Sequence, residues 1–391
     1  MGTTAYLAGT DSNDLELAYA AESTWGVPPT GVNYQKIRVN NESLQEQKNR
    51  SRPSEMRSDW QGSPQTTQDV QANGGLQFGI SYRNADDLYA GALTGAWTDD
   101  LAISDDGISF SSTGNTIAAD TIGTFTDIVA GQHIKVSGSS DNDGFYRVVT
   151  KADSQTITVD ADLTDESAGS TIAVTGSMLR NAKIFTSFTM QKRLGSGLGF
   201  AYPGIFWTSG QINASRGQFF SGQLNGLCKS EEKAVTALGT GFTAAPTNRV
   251  MDSVGNFKGF VLNDAPSVAK VMSLNTSFTR TGANMAFAMG SEAAQGVGSV
   301  GQLKATGTMQ VYFEDYDYYD KYKAEEGFLQ SYRVTDVDDN TYIVTVPELV
   351  LGQSRIVVGG RNQPVMAEFN WSANPSATYG CTLQLDRMPA S

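Results

Sequence analysis

Histidine, cysteine and long apolar runs are scarce in this chain of 391 residues. Its single histidine, His133, provides neither a histidine cluster for zinc nor a Ser-His-Asp set for nucleophilic catalysis. The two cysteines, Cys228 and Cys381, lie far apart in sequence, which argues against a disulfide framework and favours a reducing compartment. No apolar run approaches the roughly 20 residues of a membrane-spanning helix, so we expect no membrane partner.

Basic residues are also in deficit. The chain has 28 Lys and Arg against 41 Asp and Glu, and its formal net charge is −13. Proteins that wrap nucleic acid need clustered cations to displace counterions, so this balance argues against that class. An acidic surface becomes informative only if DNA must pass nearby without adhering.

Alternation of apolar and polar residues dominates the rest of the chain and predicts strands. Residues 76–82 place every second side chain on one apolar face, and residues 302–313 do the same. Residues 340–352 and the segment around Phe369 and Trp371 are predicted to be further strands. Half-buried antiparallel strands of this kind predict a mainly β fold, an antiparallel sandwich or barrel.

Two segments have helical spacing and are expected to flank the sheet. We expect Asn84 to cap the first helix, whose apolar stripe contains Leu88, Leu93 and Trp97 and which stops near Gly95. In the second, aromatic residues recur every three positions, and Gly327 is expected to end the helix. These aromatic residues are Phe313, Tyr316, Tyr319 and Tyr322.

Residues 98–178 differ in composition from the sequence on either side. They are rich in Ser, Thr, Asp and Gly, lack tryptophan, and contain several short strand patterns. We interpret them as a small all-β domain inserted between residues 1–97 and 179–391. Asp141–Gly144 resembles a calcium loop, but no Glu stands six residues after Gly144, so an ordinary turn is expected.

Residues 39–75 lack clear periodicity and are predicted to form an unusually long loop; such loops are usually functional or disordered. The charges that we single out as candidates for contact between subunits are Lys48, Arg50, Arg52, Glu55, Arg57 and Asp59. Their mixed signs leave two interpretations open, a solvated loop or a charge-complementary protein contact. A glycine-rich loop, residues 289–303, is a second segment of this kind.

No catalytic, cofactor or metal site emerges from the remaining motifs. The glycines of residues 194–200 lack the Lys-Ser/Thr and the strand-to-helix setting of a phosphate-binding loop, so a hairpin turn is expected. Acids at positions 314, 315, 317 and 320 surround a helix start, where they stabilise the helix dipole. The sequence therefore offers no convergent set of groups for an enzyme.

Several blocks, in order, resemble the tail tube (major tail) proteins of long-tailed bacteriophages. They are AAESTWGVPP, SEMRSDWQ, NGGLQFGISYRNADDLYAGALTGAW, GVGSVGQLKATGTMQVYFEDYDYYDKY and VDDNTYIVTVP. The resemblance covers residues 1–97 and 179–391. It implies a subunit that forms hexameric rings with copies of itself, and rings that stack into a hollow tube for DNA.

Applied to this chain, the resemblance makes residues 39–75 a stacking arm, with Trp25, Leu88, Leu93 and Trp97 as core or anchor residues. It also implies other tail proteins as partners (tape measure, tail terminator and tail tip), a place in the virion tail, and assembly in the host cytoplasm. The rival interpretation is a capsid decoration or a tail-tip adhesin whose inserted domain binds a receptor or glycan. Such a protein acts singly or as a trimer, without stacked rings.

Overall fold

The computed structural model describes residues 9–390 except Ser196, Asp264 and Val268, and it confirms the prediction of a mainly β fold. A short 3-10 helix, Ser12–Asp14, precedes the first strand. The next elements follow in chain order: β1 (Leu15–Ala21), β2 (Asn33–Ile37), β3 (Asn41–Glu42), β4 (Gln45–Ser51), β5 (Thr66–Gly79), α1 (Asp86–Ala92), β6 (Leu101–Asp105), β7 (Ile108–Ser111), β8 (Thr116–Ala119) and β9 (His133–Ser137).

The remaining elements complete the chain. They are β10 (Gly144–Lys151), β11 (Thr156–Val159), β12 (Ile172–Arg180), β13 (Phe188–Leu194), β14 (Leu198–Ser215), β15 (Ser221–Cys228), β16 (Glu232–Lys233), β17 (Gly241–Thr243), β18 (Phe257–Leu262), β19 (Ala265–Ser267), β20 (Val271–Thr281), β21 (Asn284–Ala286), β22 (Gly296–Ser299), β23 (Gln302–Tyr312), α2 (Asp317–Ala324), β24 (Phe328–Thr335), β25 (Thr341–Val358), β26 (Val365–Ala373) and β27 (Gln384–Met388).

The largest continuous surface is an antiparallel sheet in the order β4-β5-β15-β14-β20-β23-β26-β25. Apart from β4, these strands point alternate residues into a single apolar core that also receives α1 and α2. Trp207, with no exposed surface, is among its largest side chains. Strand β14 is long enough to pair with β13 through its first half and with β15 and β20 through its second half.

A second apolar cluster is built only from residues of 101–174. Strand β12 connects it to the main core, because residues 172–176 pair with β6 and residues 177–180 pair with β27. The end of β12 therefore belongs to the same sheet as the C-terminal strand. At the same junction the buried His133 bonds through Nδ1 to Asp386, whose carboxylate is also buried, at 3.0 Å.

The structure corrects the prediction that residues 39–75 form one long loop. Strands β4 and β5 pair with each other from Gln45–Asn73 to Ser51–Thr66, so most of the segment is a β-hairpin, and residues 52–65 join its strands. Side chains of β4 are exposed on both of its faces. A strand without a buried face has no alternation of apolar residues, which explains why the sequence pattern missed it.

Both helices differ in detail from the prediction. Helix α1 begins at Asp86 without a side-chain cap, because Asn84 instead binds the backbone N–H and C=O of Arg38, each at 3.0 Å. Helix α2 ends before Gly327, at the left-handed residue Glu325 (φ 52°). Its buried aromatic residue is Tyr318.

Candidate channel and assembly surfaces

The outward face of the large sheet carries two transverse rows of uncharged polar side chains, which we call the amide face. The first row, with each residue paired to the next, is Gln77, Gln223, Gln211, Ser277, Thr306 and Ser372. The second row is Ser221, Asn213, Asn275, Thr308, Asn370 and Gln353. All are exposed or half-buried, whereas the residues between them on each strand point into the core.

Side chains of the amide face bond to one another across strands. Gln211 donates to Gln223 at 2.8 Å, and Asn275 donates to Asn213. The Asn370 amide donates to Gln353 at 2.9 Å. Cross-strand contacts of this kind hold each side chain in place while leaving donors and acceptors for water.

Charged residues lie beside the two rows. Lys304 is two positions before Thr306 on β23, and Glu368 is two positions before Asn370 on β26. Glu368 is itself compensated, because it accepts a hydrogen bond from Gln310 at 3.2 Å and lies 3.6 Å from Arg355. The rows themselves contain no charged side chain, although each row crosses six strands.

A second surface is the arm, which we define as residues 45–71. Strand β15 pairs with β5 only from Ala72 to Gly79, so residues 66–71 of β5 extend past it with β4 as their strand partner. A backbone contact from Val70 to Glu292, at 2.7 Å, joins the base of the arm to the glycine-rich segment 289–303. The two segments that the sequence singled out thus meet here.

The six charged residues proposed for subunit contact all lie on this arm and are exposed. Arg57 forms two hydrogen bonds with the Asp59 carboxylate, at 3.1 and 2.6 Å, and these lower the pKa of Asp59. Arg52 donates to the Ser63 carbonyl at 2.9 Å, and Glu55 accepts from the Ser63 hydroxyl at 2.9 Å. These contacts shape the loop that joins the strands.

Lys48 and Arg50 lie on β4, where they face Val70 and Thr67 of β5. Lys48 is 3.5 Å from Glu46. The structure therefore distributes the six charges between the strand and the loop of one arm.

Sequence reasoning missed two apolar residues at the end of the arm. Met56 is fully exposed and Trp60 is 98% exposed. A tryptophan with its whole ring in water is costly unless another surface covers it, and aromatic anchors dominate protein interfaces. Their position inside a polar segment, SEMRSDWQ, was the signal available in the sequence.

The opposite end of β5 has an apolar surface of its own. Gly79 lies beside the turn between β14 and β15, where Phe219 is 66% exposed, and Val254 nearby is 72% exposed. Strand β5 has 14 residues, which places this end roughly 43 Å from its start at the arm. The protein therefore exposes apolar side chains at both ends of one strand.

The predicted anchor residues occupy two different environments. Leu88 and Leu93 are completely buried in the main core. Trp97 is half-buried, donates through Nε1 to the Asp86 carbonyl at 3.1 Å, and lies beneath the Arg387 guanidinium at 4.4 Å. Trp25 is half-buried on another part of the surface, where it donates to the Gly204 carbonyl at 3.2 Å.

Among residues 9–390, with the three exceptions given above, no group of three His, Cys, Asp or Glu side chains could hold a metal ion. Both cysteines are buried and free, and burial raises the pKa of Cys381 to about 11. In the same described part of the chain no helix is long and apolar enough to cross a membrane.

Comparison with known proteins gives one family. No curated protein matches the chain. A family model described as "Phage tail tube protein" matches residues 12–373, which covers the large sheet, the arm and the segment 98–178. The chain therefore belongs to the phage tail tube protein family.

Proposed function

We propose that this structural tail protein forms hexameric rings, that the rings stack into the tail tube, and that the amide face lines the channel through which phage DNA passes. The observation that carries the proposal is the amide face itself. It is a broad, hydrogen-bonded surface whose two rows contain no charged residue.

Such a surface suits a polyanion that must move. DNA binds tightly where clustered cations displace its counterions, and the two rows provide none. Amides and hydroxyls remain hydrated, so DNA keeps its water and ions while it slides. The net charge of −13 opposes adhesion further.

We infer stacking from the exposed apolar side chains at the two ends of β5. A contact between unlike surfaces, repeated from copy to copy, builds an open stack rather than a closed dimer. We infer that the arm of one ring contacts the neighbouring ring, with Met56 and Trp60 as anchors. Lys48, Arg50, Arg52, Glu55, Arg57 and Asp59 then surround these anchors and fix orientation.

We place residues 98–178 on the exterior of the tube as an inserted domain. Support comes from their separate apolar cluster, which needs no residue of the main core. A module of this size inside the channel obstructs DNA. Tape measure, tail terminator and tail tip proteins are the further partners expected, with assembly in the host cytoplasm.

Electron microscopy of the purified protein tests the proposal directly. We expect hexameric rings or tubes in negative stain, and the amide face on the inner wall in a high-resolution reconstruction. Isolated particles or trimers favour a decoration protein or an adhesin instead. A ring of Lys and Arg side chains around the channel contradicts the proposed role of the amide face.

A further inference from the structure

A cavity of about 230 Å³ lies at the junction of the two apolar clusters, and we call it the junction cleft. One wall comes from strands β18, β24 and β25 of the main sheet region. The other comes from β9, β10 and the turn after β11, all within residues 98–178. The buried Phe260 forms part of its apolar wall.

Cations outnumber carboxylates in this cleft, in contrast to the acidic chain as a whole. Among the residues that the structure describes, its lining includes Arg147, Lys258 and Arg333, but only one carboxylate, Asp160. Arg147 forms an ion pair with Asp160, with Arg147 Nε 4.0 Å from the Asp160 carboxylate. Arg147 also donates a hydrogen bond to the Tyr379 hydroxyl. Lys258 and Arg333 are therefore the two cations of the cleft lining that have no carboxylate partner within the described lining.

Arg333 is held in a defined position. Its guanidinium lies over the Phe145 ring at 4.2 Å, and its Nε is buried without a hydrogen-bond partner among the described residues. Burial lowers the pKa of Arg333 and outweighs the opposing charge of Asp339, which also accepts a hydrogen bond from Lys135. An arginine that is held by stacking and partly desolvated can bind an acceptor through the terminal nitrogens of its guanidinium group.

Lys258 lies on the same side of the cleft as Arg333, on the neighbouring strand. It is exposed and donates to the Gly255 carbonyl at 2.9 Å, which leaves other protons of its ammonium group available. A guanidinium fork and an ammonium group beside apolar walls match a small organic molecule that carries one anionic group.

We infer that the junction cleft binds a small organic anion, a carboxylate or phosphate group carried on a body with an apolar face, such as a sugar acid or a sugar phosphate. The Arg333 guanidinium binds the anionic group, Lys258 adds charge, and the ligand body packs on the half-buried Phe145 and Val261 of the cleft lining. This site is independent of ring stacking and of the channel.

Calorimetric titration of the full-length protein tests this inference, with glucuronate and glucose 1-phosphate as anionic probes and glucose as the neutral probe. We expect at least one anionic probe to bind, glucose to bind far more weakly, and Arg333→Gln to weaken the binding about tenfold or more. The stronger of the two anionic probes then identifies carboxylate or phosphate as the preferred group.

Arg361→Gln is the matched control, because it removes the same charge from an exposed position outside the cleft. We expect it to leave the affinity unchanged. Arg333→Lys keeps the charge and separates binding from folding: its thermal unfolding should match the wild type while its affinity falls. Equal affinities for Arg333→Gln and wild type, equal binding of glucose, or no binding of either anion overturns the inference.

Discussion

Gln211 of β14 and Gln223 of β15 face each other across two paired strands, and the Gln211 amide donates a 2.8 Å hydrogen bond to the Gln223 amide oxygen. Neither side chain is buried, so this bond does little for the core. Its effect is to fix two neutral polar groups at the centre of the amide face.

The first prediction concerns the charge of this face. The double substitution Gln211→Lys and Gln223→Lys should leave assembly intact and change the free energy of unfolding by less than about 1 kcal/mol, since both positions contact water. Repeated around a ring, the new cations should slow DNA ejection, and added salt should partly restore the rate because bound phosphates release counterions.

The measurement is the ejection rate from virions that carry the variant. Gln211→Glu with Gln223→Glu is the matched control, with charge of the opposite sign at the same positions. Equal rates for the lysine variant and the wild type, at low salt, argue against a channel location for the amide face.

The second prediction concerns the arm. Met56→Ala with Trp60→Ala should prevent tube formation while leaving the thermal unfolding temperature of the subunit unchanged, because neither side chain packs on its own chain. Negative-stain images and sedimentation velocity distinguish assembled tubes from unassembled subunits.

Ile122→Ala is the control for the arm variant. Ile122 is 81% exposed but lies in residues 98–178, away from the arm, so we expect normal tubes. Normal tubes from the Met56 and Trp60 variant show that the arm tip is not the stacking anchor.

The third prediction tests whether residues 98–178 form a separable domain. The deletion is designed from the pairing of β6 with β12. Leu101 and Gly176 are paired neighbours on β6 and β12, so a two-residue turn can replace residues 102–175. This deletion keeps residues 177–180, which pair with β27. Removing His133 leaves the buried Asp386 carboxylate without that partner, so Asp386→Asn belongs in the same variant.

We expect the shortened protein to fold cooperatively and to assemble into tubes of smaller outer diameter. The point variant Asp386→Asn in the full-length chain controls for the substitution. A shortened protein that folds but forms no tubes means that residues 98–178 contribute to the ring or to stacking.

The fourth prediction concerns acid stability near the Val254 end of the molecule. Asp252 accepts hydrogen bonds from the backbone N–H groups of Gly255, at 2.6 Å, and Val254, at 2.7 Å, and these lower the pKa of Asp252. Since the pKa is lower in the folded state, the ionised carboxylate stabilises the fold above the unfolded-state pKa. This contribution is lost as the pH falls through the folded-state pKa.

Asp252→Asn keeps an oxygen acceptor but removes the charge. We expect it to lower the free energy of unfolding by at most about 1 kcal/mol at neutral pH, and this difference should vanish well below about pH 4. Urea unfolding of both proteins across that range measures the difference. A difference that is constant with pH contradicts the assignment of the effect to the Asp252 charge.

The sequence predicted strands well where one face is buried. In β23 the alternation of Ala305, Met309 and Val311 with polar residues marks a strand because the core selects every second side chain. The sequence pattern could not reveal the amide face, because Gln77 and Ser372 become members of one row only through pairings between distant strands. Those pairings are a property of the folded sheet.

Helix α2 shows a different limit. Its sequence has aromatic residues at three-residue spacing, yet Tyr316 of that set is 63% exposed, whereas Tyr318, which lies outside the set, is buried. Tyr318 packs on Phe328 and Phe369, with ring centroids 6.2 and 5.6 Å away. Which aromatic face turns inward depends on these distant partners, so spacing alone could not choose it.

Strand β5 gives the proposed tube a mechanical property. The same unbroken strand carries Gln77 of the amide face, the proposed channel wall, and Thr66 at the base of the arm's loop, without a flexible linker between them. A force on the arm therefore reaches the wall through covalent backbone and ladder hydrogen bonds. In the proposed tube, twisting or bending of one ring against the next would deform the wall itself, so we expect the tube to be stiff along its whole length.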